Sequence, residues 1–346
     1  MTVPHSEFLG IPEVYRGKRV LITGHTGFKG AWLCAWLLEL GAKVAGYALE
    51  PPSDPSLFDR IGLASRIDHR TGDVRDFPKV RRTLDEVRPN ILLHLAAQSL
   101  VRESYKCPIE TFETNVMGTA SVLEAVRVAG RPCVVIVATS DKCYENFDDS
   151  VVFVEADPLG GHDPYSASKG AAEILISSYR RSFFPPDRFS DHGVALASVR
   201  AGNVIGGGDW ATDRIIPDIM RGLSEDRPPK LRNPQAIRPW QHVLDVLSGY
   251  LLLGAMLVQR GARGLAEAWN FGPIDPHFVS VDQLTERFLR AWGKTSWRLE
   301  QDPGAPHETK VLRLDSSKAV RKLGWKPIWN VDVAIDRTVS WYQKDR

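Results

Sequence analysis

Only four cysteines occur in 346 residues, and Cys34, Cys107, Cys133 and Cys143 show no short paired spacing. Neither a zinc-binding ligand set nor a disulfide scaffold is therefore encoded. Cys34 and Cys133 fall in apolar segments, where a free thiol serves as a small buried apolar side chain. No surplus of one charge exists either: 44 Lys and Arg against 42 Asp and Glu leave +2, with no dense basic run. That removes the electrostatic footprint of a nucleic-acid or anionic-membrane partner and leaves only a compact anionic ligand open. Long apolar runs are missing too. Met1 to Gly10 carries Pro4, His5 and Glu7 where a signal peptide needs an apolar core. No later stretch approaches the ~20 apolar residues of a spanning helix. A cytoplasmic protein without metal, membrane or nucleic acid is expected.

What the chain does contain is an alternation. Lys18 to Gly24 is a short apolar run ending in glycine, and Phe28 to Leu40 continues as a buried helix. Strands follow at Lys43–Leu49, Asp68–Val74, Ile91–Ala97, Cys133–Ser140 and Gly193–Ala201. Helices fall between them at Lys79–Val87, around Asn115–Val128 and at Tyr165–Ser182. Strands separated by helices require right-handed crossovers, so the fold class is α/β with a Rossmann-type, doubly wound parallel sheet. After Gly202 the pattern is broken by Gly206, Gly207 and Gly208 and then by Pro228, Pro229, Pro234 and Pro239. This predicts a dinucleotide-binding domain over 1–202, to which segments near 240–272 return. A smaller, irregular α/β lobe for substrate follows over 203–346. There Val281–Trp292 reads as a helix capped by Ser280, and Asp315–Leu323 as one stopped by Gly324.

Gly24-His25-Thr26-Gly27-Phe28-Lys29-Gly30 directly follows the first strand and opens the first helix. Glycines there let backbone N–H groups and the helix N-terminus approach a pyrophosphate. The acid that ordinarily holds the adenosine ribose hydroxyls about 20 residues on is absent from Tyr47, Ala48 and Leu49, with Glu50 just beyond. His25 and Lys29 also add positive charge of a kind tied to a phosphorylated ribose, so NAD and NADP both stay open on the residues alone. Tyr165 and Lys169 stand four apart on a predicted helix, hence on one face. A lysine ammonium beside a phenol favours the phenolate and readies it for proton transfer with a sugar hydroxyl. Ser140 ends the fifth predicted strand twenty-five positions earlier.

These motifs resemble the extended short-chain dehydrogenases that act on sugar nucleotides. With Thr139-Ser140-Asp141-Lys142-Cys143-Tyr144 and the run Arg200 to Trp210 (RAGNVIGGGDW), they are similar to the branch that dehydrates CDP-glucose. The resemblance implies NAD as cofactor, held by Gly24, His25, Thr26, Gly27, Phe28, Lys29 and Gly30. It adds Asp73, Val74, Leu95, Ala96, Ala97, Gln98, Thr114, Tyr165 and Lys169 to that set. It implies catalysis by Ser140, Asp141, Lys142, Tyr165 and Lys169, and a substrate diphosphate near Ser99, Asn203, Arg214, Arg232 and Arg238. Asp141 matches the acid that protonates a leaving hydroxyl in dehydratases. Lys142 stands where the thymidine- and guanosine-linked enzymes carry glutamate and is the expected base. A homodimer through the helices carrying Asn115 and Tyr165 is also implied.

Each residue has a plainer alternative. An Asp-Lys pair in a loop is ordinarily solvated surface, Asp73 suits any turn, and Arg214 and Arg232 are as apt for solubility as for binding. Trp240 and His242 read as packing residues. Competing functions are a dehydratase for another nucleotide sugar, a 4-epimerase, and a nicotinamide-sensing regulator on an inactive scaffold.

Overall fold

The computed structural model describes residues 13–147, 151–273, 278–300 and 309–344. Met1 to Gly10, read above for its lack of a signal-peptide core, lies outside them. Seven strands build one sheet: β1 (Arg19–Thr23), β2 (Lys43–Ala48), β3 (Asp68–Thr71), β4 (Ile91–His94), β5 (Cys133–Ala138), β6 (Val194–Ala201) and β7 (Ala268–Phe271). Their order is β7-β6-β5-β4-β1-β2-β3 and every pairing is parallel. The middle strands β4 and β5 are buried except for partly exposed Ala138 at the end of β5, as the runs ILLH and CVVIVA require when helices cover both faces.

Over one face lie α1 (Phe28–Glu39) and the later helix α6 (Val243–Arg260). Trp36 and Leu37 of α1 share a core with Leu247 and Leu251 of α6 and Ile22 of β1. The opposite face is covered by α2 (Phe77–Val87), α3 (Gly118–Ala129) and α4 (Pro164–Ser182), through Leu84, Val122 and Ile176. A single π-turn, Glu113–Met117, leads into α3.

The segment from α6 to β7 returns to this layer. Among the described residues α6 is the one helix long and apolar enough to cross a membrane, yet its side chains are spent in the core, Leu251 and Leu253 being fully buried. A helix buried nearly all round carries little polar periodicity, which is why the pattern reading passes over it.

Helices α5 (Ile215–Ser224), α7 (Val281–Trp292), α8 (Ser317–Leu323) and α9 (Val331–Lys344) complete the chain. Ile216, Ile219, Phe288, Leu289, Ile335 and Val339 from α5, α7 and α9 form a core separate from those of the sheet. Ser280 and Gln283 make a reciprocal capping box at the start of α7, and Gly324 at φ 70° ends α8. Trp240 donates its ring N–H to the Val279 carbonyl at 2.8 Å, and His242 accepts from the Leu244 amide at 3.2 Å, so both are packing residues.

Three buried histidines set an acid limit on this fold. Burial lowers His25 to about 4, with help from His69, and lowers His94 and His242 to about 3. Unfolded, each takes up a proton near the ordinary value of about 6.5. Because the folded values are depressed, their neutral forms cost nothing above pH ~6.5, and stability falls as pH drops from there through the folded values. Urea denaturation at pH 7.5 and pH 5.5 is expected to show a lower midpoint at the acidic value with an unchanged slope. Equal midpoints would show that these rings do not limit the fold.

Candidate active site

Where the strand order reverses, between β1 and β4, a crevice opens at the carboxyl ends of the strands. It enlarges into a cleft of about 650 Å³ bounded by the second lobe. The phosphate loop forms one wall. Gly24 holds φ +75°, and a Cβ there would lie 2.6 Å from the Ala96 amide nitrogen; at Gly30 it would lie 2.2 Å from the Gly24 carbonyl oxygen. These two glycines make the tight turn and the close strand–helix approach. Gly27 differs, since a Cβ would meet only the Gly24 carbonyl oxygen, at 3.5 Å. Its bare backbone faces the cleft at the N-cap of α1. That cradle fits a pyrophosphate, and Glu50, Asp73, Val74, Leu95, Ala96, Ala97 and Thr114 line the same wall.

Two residues of the expected cofactor set are placed elsewhere. His25 turns away from the cleft into the core behind it, where it is fully buried and bonded to His69 at 2.7 Å. With its ring lowered to about 4 it is neutral, so it brings no charge to a ribose phosphate. Gln98 is a brace rather than a wall. Its amide bonds Thr111 at 2.9 Å and the Leu100 backbone, while Asn115 bonds the Gln98 backbone in both directions and then Ser168. Lys29 does face the cleft, but toward the reacting end, among Arg214, Asp141 and Asp209. Burial and Arg214 lower it to about 8 against the pull of the two acids.

At that end β5 delivers Ser140 and α4 delivers Tyr165 and Lys169. Asp163 caps α4 by accepting from the Ser166 amide at 2.9 Å, which fixes where Tyr165 enters the cleft. Ser140 is the hub: it donates to Asp141 Oδ1 at 3.0 Å, accepts from the Lys142 amide at 3.2 Å and lies near enough to Tyr165 to influence its phenol. Lys169 Nζ lies 6.0 Å from the centre of the Tyr165 ring.

The expected lowering of the tyrosine by its lysine is not what this arrangement produces. Burial pushes Tyr165 up to about 12, Ser140 opposing and Asp141 adding to the rise. Lys169 is itself buried, and burial together with Lys29 lowers it to about 8, so its ammonium is weakly held. Asp141 is almost fully buried and its Oδ2 has no hydrogen-bond partner. Burial raises its carboxyl above the usual range despite Lys142, Ser140, Arg238 and Lys29. A carboxyl held toward its protonated form is suited to donate a proton. Lys142 is half-buried and lines the cleft beside it.

The basic residues form the far wall. Arg214 crosses the cleft, bonding Ser99 at 2.8 Å and pairing with Asp209 at 3.2 Å. Arg232 pairs with Asp213 at 2.6 Å, and Asn203 lines the wall between the lobes. Arg238 borders the cleft, but its guanidinium is bonded to the carbonyls of Ile237, Thr309 and Lys310. Asp209 and Asp213, the partners of these arginines, are absent from the motif reading although Asp209 stands inside the quoted RAGNVIGGGDW run.

This strand order, with a serine, a tyrosine and a lysine gathered beyond its strand ends, defines a Rossmann-type dehydrogenase scaffold. A CDP-glucose 4,6-dehydratase of Salmonella typhimurium is 50% identical over 330 residues, spanning 95% of this chain and 91% of that protein. The GDP-mannose 4,6 dehydratase family matches residues 21–338, and the chain belongs to it. A dTDP-glucose 4,6-dehydratase of the same bacterium is 26% identical over 94% of this chain and 92% of its own. Among solved structures, the dTDP-glucose 4,6-dehydratase of Streptomyces venezuelae with NAD bound superposes with a TM-score of 0.80 at 25% identity, covering 95% of this chain and 98% of that one. The UDP-glucose 4-epimerase of Thermus thermophilus in complex with NAD, at 24% identity and TM-score 0.80 over 94% and 99%, shares the fold.

The space at Gly27 makes the cradle testable. Gly27→Ala meets nothing closer than 3.5 Å within the protein, so its melting temperature is expected to match the parent. A methyl aimed at a bound pyrophosphate should weaken dinucleotide affinity at least about tenfold, roughly 1.4 kcal/mol. Unchanged affinity in a fluorescence titration would mean that the phosphates lie elsewhere.

Proposed function

We propose that this chain is a cytoplasmic, NAD-dependent CDP-glucose 4,6-dehydratase. It converts CDP-glucose to CDP-4-dehydro-6-deoxyglucose and water by oxidation at carbon 4, elimination across carbons 5 and 6, and reduction at carbon 6. The observation that carries this reading is Asp141: a buried carboxyl raised toward its protonated form, adjoining the serine–tyrosine pair and followed by Lys142. A 4-epimerase needs no acid for a leaving hydroxyl; an elimination does. Half identity to the Salmonella CDP-glucose enzyme, against 26% to the dTDP-glucose enzyme of the same organism, favours cytidine. Glu50 at the cleft beside the phosphate loop, with neutral His25 turned away, favours the unphosphorylated ribose of NAD.

Tyr165 takes the proton of the carbon-4 hydroxyl, with Ser140 sharing that hydroxyl and Lys169 supporting the phenolate. With its pyrophosphate held at Gly24, Gly27 and Gly30, the dinucleotide would supply the hydride acceptor for carbon 4 and the hydride donor for carbon 6. Once carbon 4 is a ketone, the carbon-5 proton is acidified and Lys142 removes it, and the resulting ammonium returns a proton to carbon 5 after carbon 6 is reduced. Asp141 protonates the carbon-6 hydroxyl as it leaves. Arg214, Arg232 and Asn203 hold the diphosphate, the arginines exchanging Asp209 and Asp213 for phosphate oxygens.

Incubation with a panel of nucleotide-linked hexoses is expected to give the near-ultraviolet absorbance of a 4-keto-6-deoxy product in alkali, with CDP-glucose preferred. Substrate deuterated at carbon 4 should yield product labelled at carbon 6; net consumption of external dinucleotide would sink the dehydratase reading. Lys142→Met should still oxidise carbon 4 in a single turnover yet neither exchange the carbon-5 proton with solvent deuterium nor release product. Tyr165→Phe should block the first oxidation. Near-parental dehydration by Lys142→Met would assign the base to another group.

The homodimer has support in a bare apolar face. Ile109, Met117 and Ile174 are 74%, 59% and 59% exposed on the adjoining segments around Asn115 and along α4. Light scattering should give twice 38.6 kDa for the parent and 38.6 kDa for Met117→Glu/Ile174→Glu. A monomeric parent would refute the dimer.

A further inference from the structure

Behind the cleft lies a charged pair that the reaction as described does not use. Glu173 and Arg200 meet at 2.8 Å with side chains only 3% and 4% exposed. Glu173 stands one turn beyond Lys169 on α4 and two turns beyond Tyr165, on the same helix face. Its Oε1 accepts from the hydroxyl of Thr139, the residue before Ser140, and its Oε2 accepts from Ser198 at 2.8 Å. Arg200 in turn donates to the Tyr144 hydroxyl at 2.8 Å and to the Glu155 carbonyl at 3.1 Å, and Tyr144 donates to Asn270 on β7 at 2.7 Å. One carboxylate thus ties α4, the exit of β5 and β6 together directly behind the reacting groups.

A buried ion pair is a poor way to gain stability, because a well-packed apolar pair of the same volume does as well or better. Its position says what else it does. Building on the dehydratase reading, we propose that Glu173 is a positioning residue for the reaction: its carboxylate, kept charged by Arg200, holds Lys169 as an ammonium and, through Thr139, fixes the position of Ser140 beside Tyr165.

The surroundings of Lys169 support this. Lys29 faces it from α1, Cys143 from the turn after β5, His94 from β4, and Tyr165 and Glu173 from its own helix. His94 is lowered to about 3 and the Cys143 thiol is pushed well up, both by burial, so both are neutral. Lys29 repels the ammonium, and Glu173 is the carboxylate among these groups. Burial pushes Glu173 up, but Arg200 and the bonds from Arg200, Thr139 and Ser198 outweigh it and hold the carboxyl below its usual range.

Glu173→Gln alone strands Arg200 as an unpaired buried charge, so the test uses Glu173→Gln/Arg200→Met, which removes both charges together. The readouts are melting temperature and the pH profiles of kcat and KM for CDP-glucose. Without the carboxylate Lys169 loses its proton at lower pH, so the alkaline limb of the rate is expected to move down by about one pH unit. KM at neutral pH should change little, since the pair touches no substrate. An alkaline limb in the parental place, in a double variant that melts like the parent, overturns the proposal. If that variant does not fold, Glu173→Asp decides. It keeps the charge and the arginine but withdraws the carboxylate by one methylene, and must move the limb in the same direction by a smaller amount; an unmoved limb overturns the proposal equally. Should the parent turn over a different nucleotide hexose, the dehydratase's cytidine preference falls and the limb is read with that sugar. Turnover of none overturns both readings.

Discussion

The cleft depends on β1 being paired in parallel on both sides, to β2 and to β4. Parallel neighbours demand crossovers, and a strand order that reverses at β1 sends successive crossovers to opposite faces of the sheet. The space left at the strand ends is where the phosphate loop, the β4 loop, Ser140 and the second lobe meet. Closeness is enforced by backbone. With Gly24 within van der Waals reach of Ala96, any side chain there would force β1 and β4 apart.

Electrostatics in that space are governed by burial and divided unequally. Asp141 rises, Tyr165 rises, and Lys29 and Lys169 fall, each moved first by loss of water and only then by its neighbours. The outcome is an acid and two amines brought closer in their hold on a proton, beside a phenol that holds its own more tightly than in water. Proton exchange among a sugar's hydroxyls and an activated carbon needs donors and acceptors of that kind. The Glu173–Arg200 pair lies one layer deeper, where a full charge is kept by a partner rather than by solvent.

Strand and helix positions within the sheet layer were legible because fully buried parallel strands are continuous apolar runs punctuated by glycine. β5 begins at Cys133 and α7 spans Val281–Trp292, as the pattern reads. Helices α5 and α9 were not read, and neither was α6. For α6 the reason is its burial on all sides; for α5 it is the glycines and prolines crowded around it, which hide a single amphipathic stretch.

By itself the sequence determined the residue types and spacings of the chemistry: the glycine loop after β1, Tyr165 and Lys169 a helical turn apart, and Ser140-Asp141-Lys142 at the end of β5. These are local matters of backbone period and turn geometry. Tertiary structure decided what each side chain faces. It turned His25 into the core, aimed Lys29 at Asp141 and Asp209, made Gln98 a brace, paired Arg214 and Arg232 with acids, and placed Glu173 against Arg200 from β6. Burial and the charges brought close by the fold set a group's protonation, and partners such as Glu173 and Arg200, 27 residues apart, meet only when helix and sheet pack.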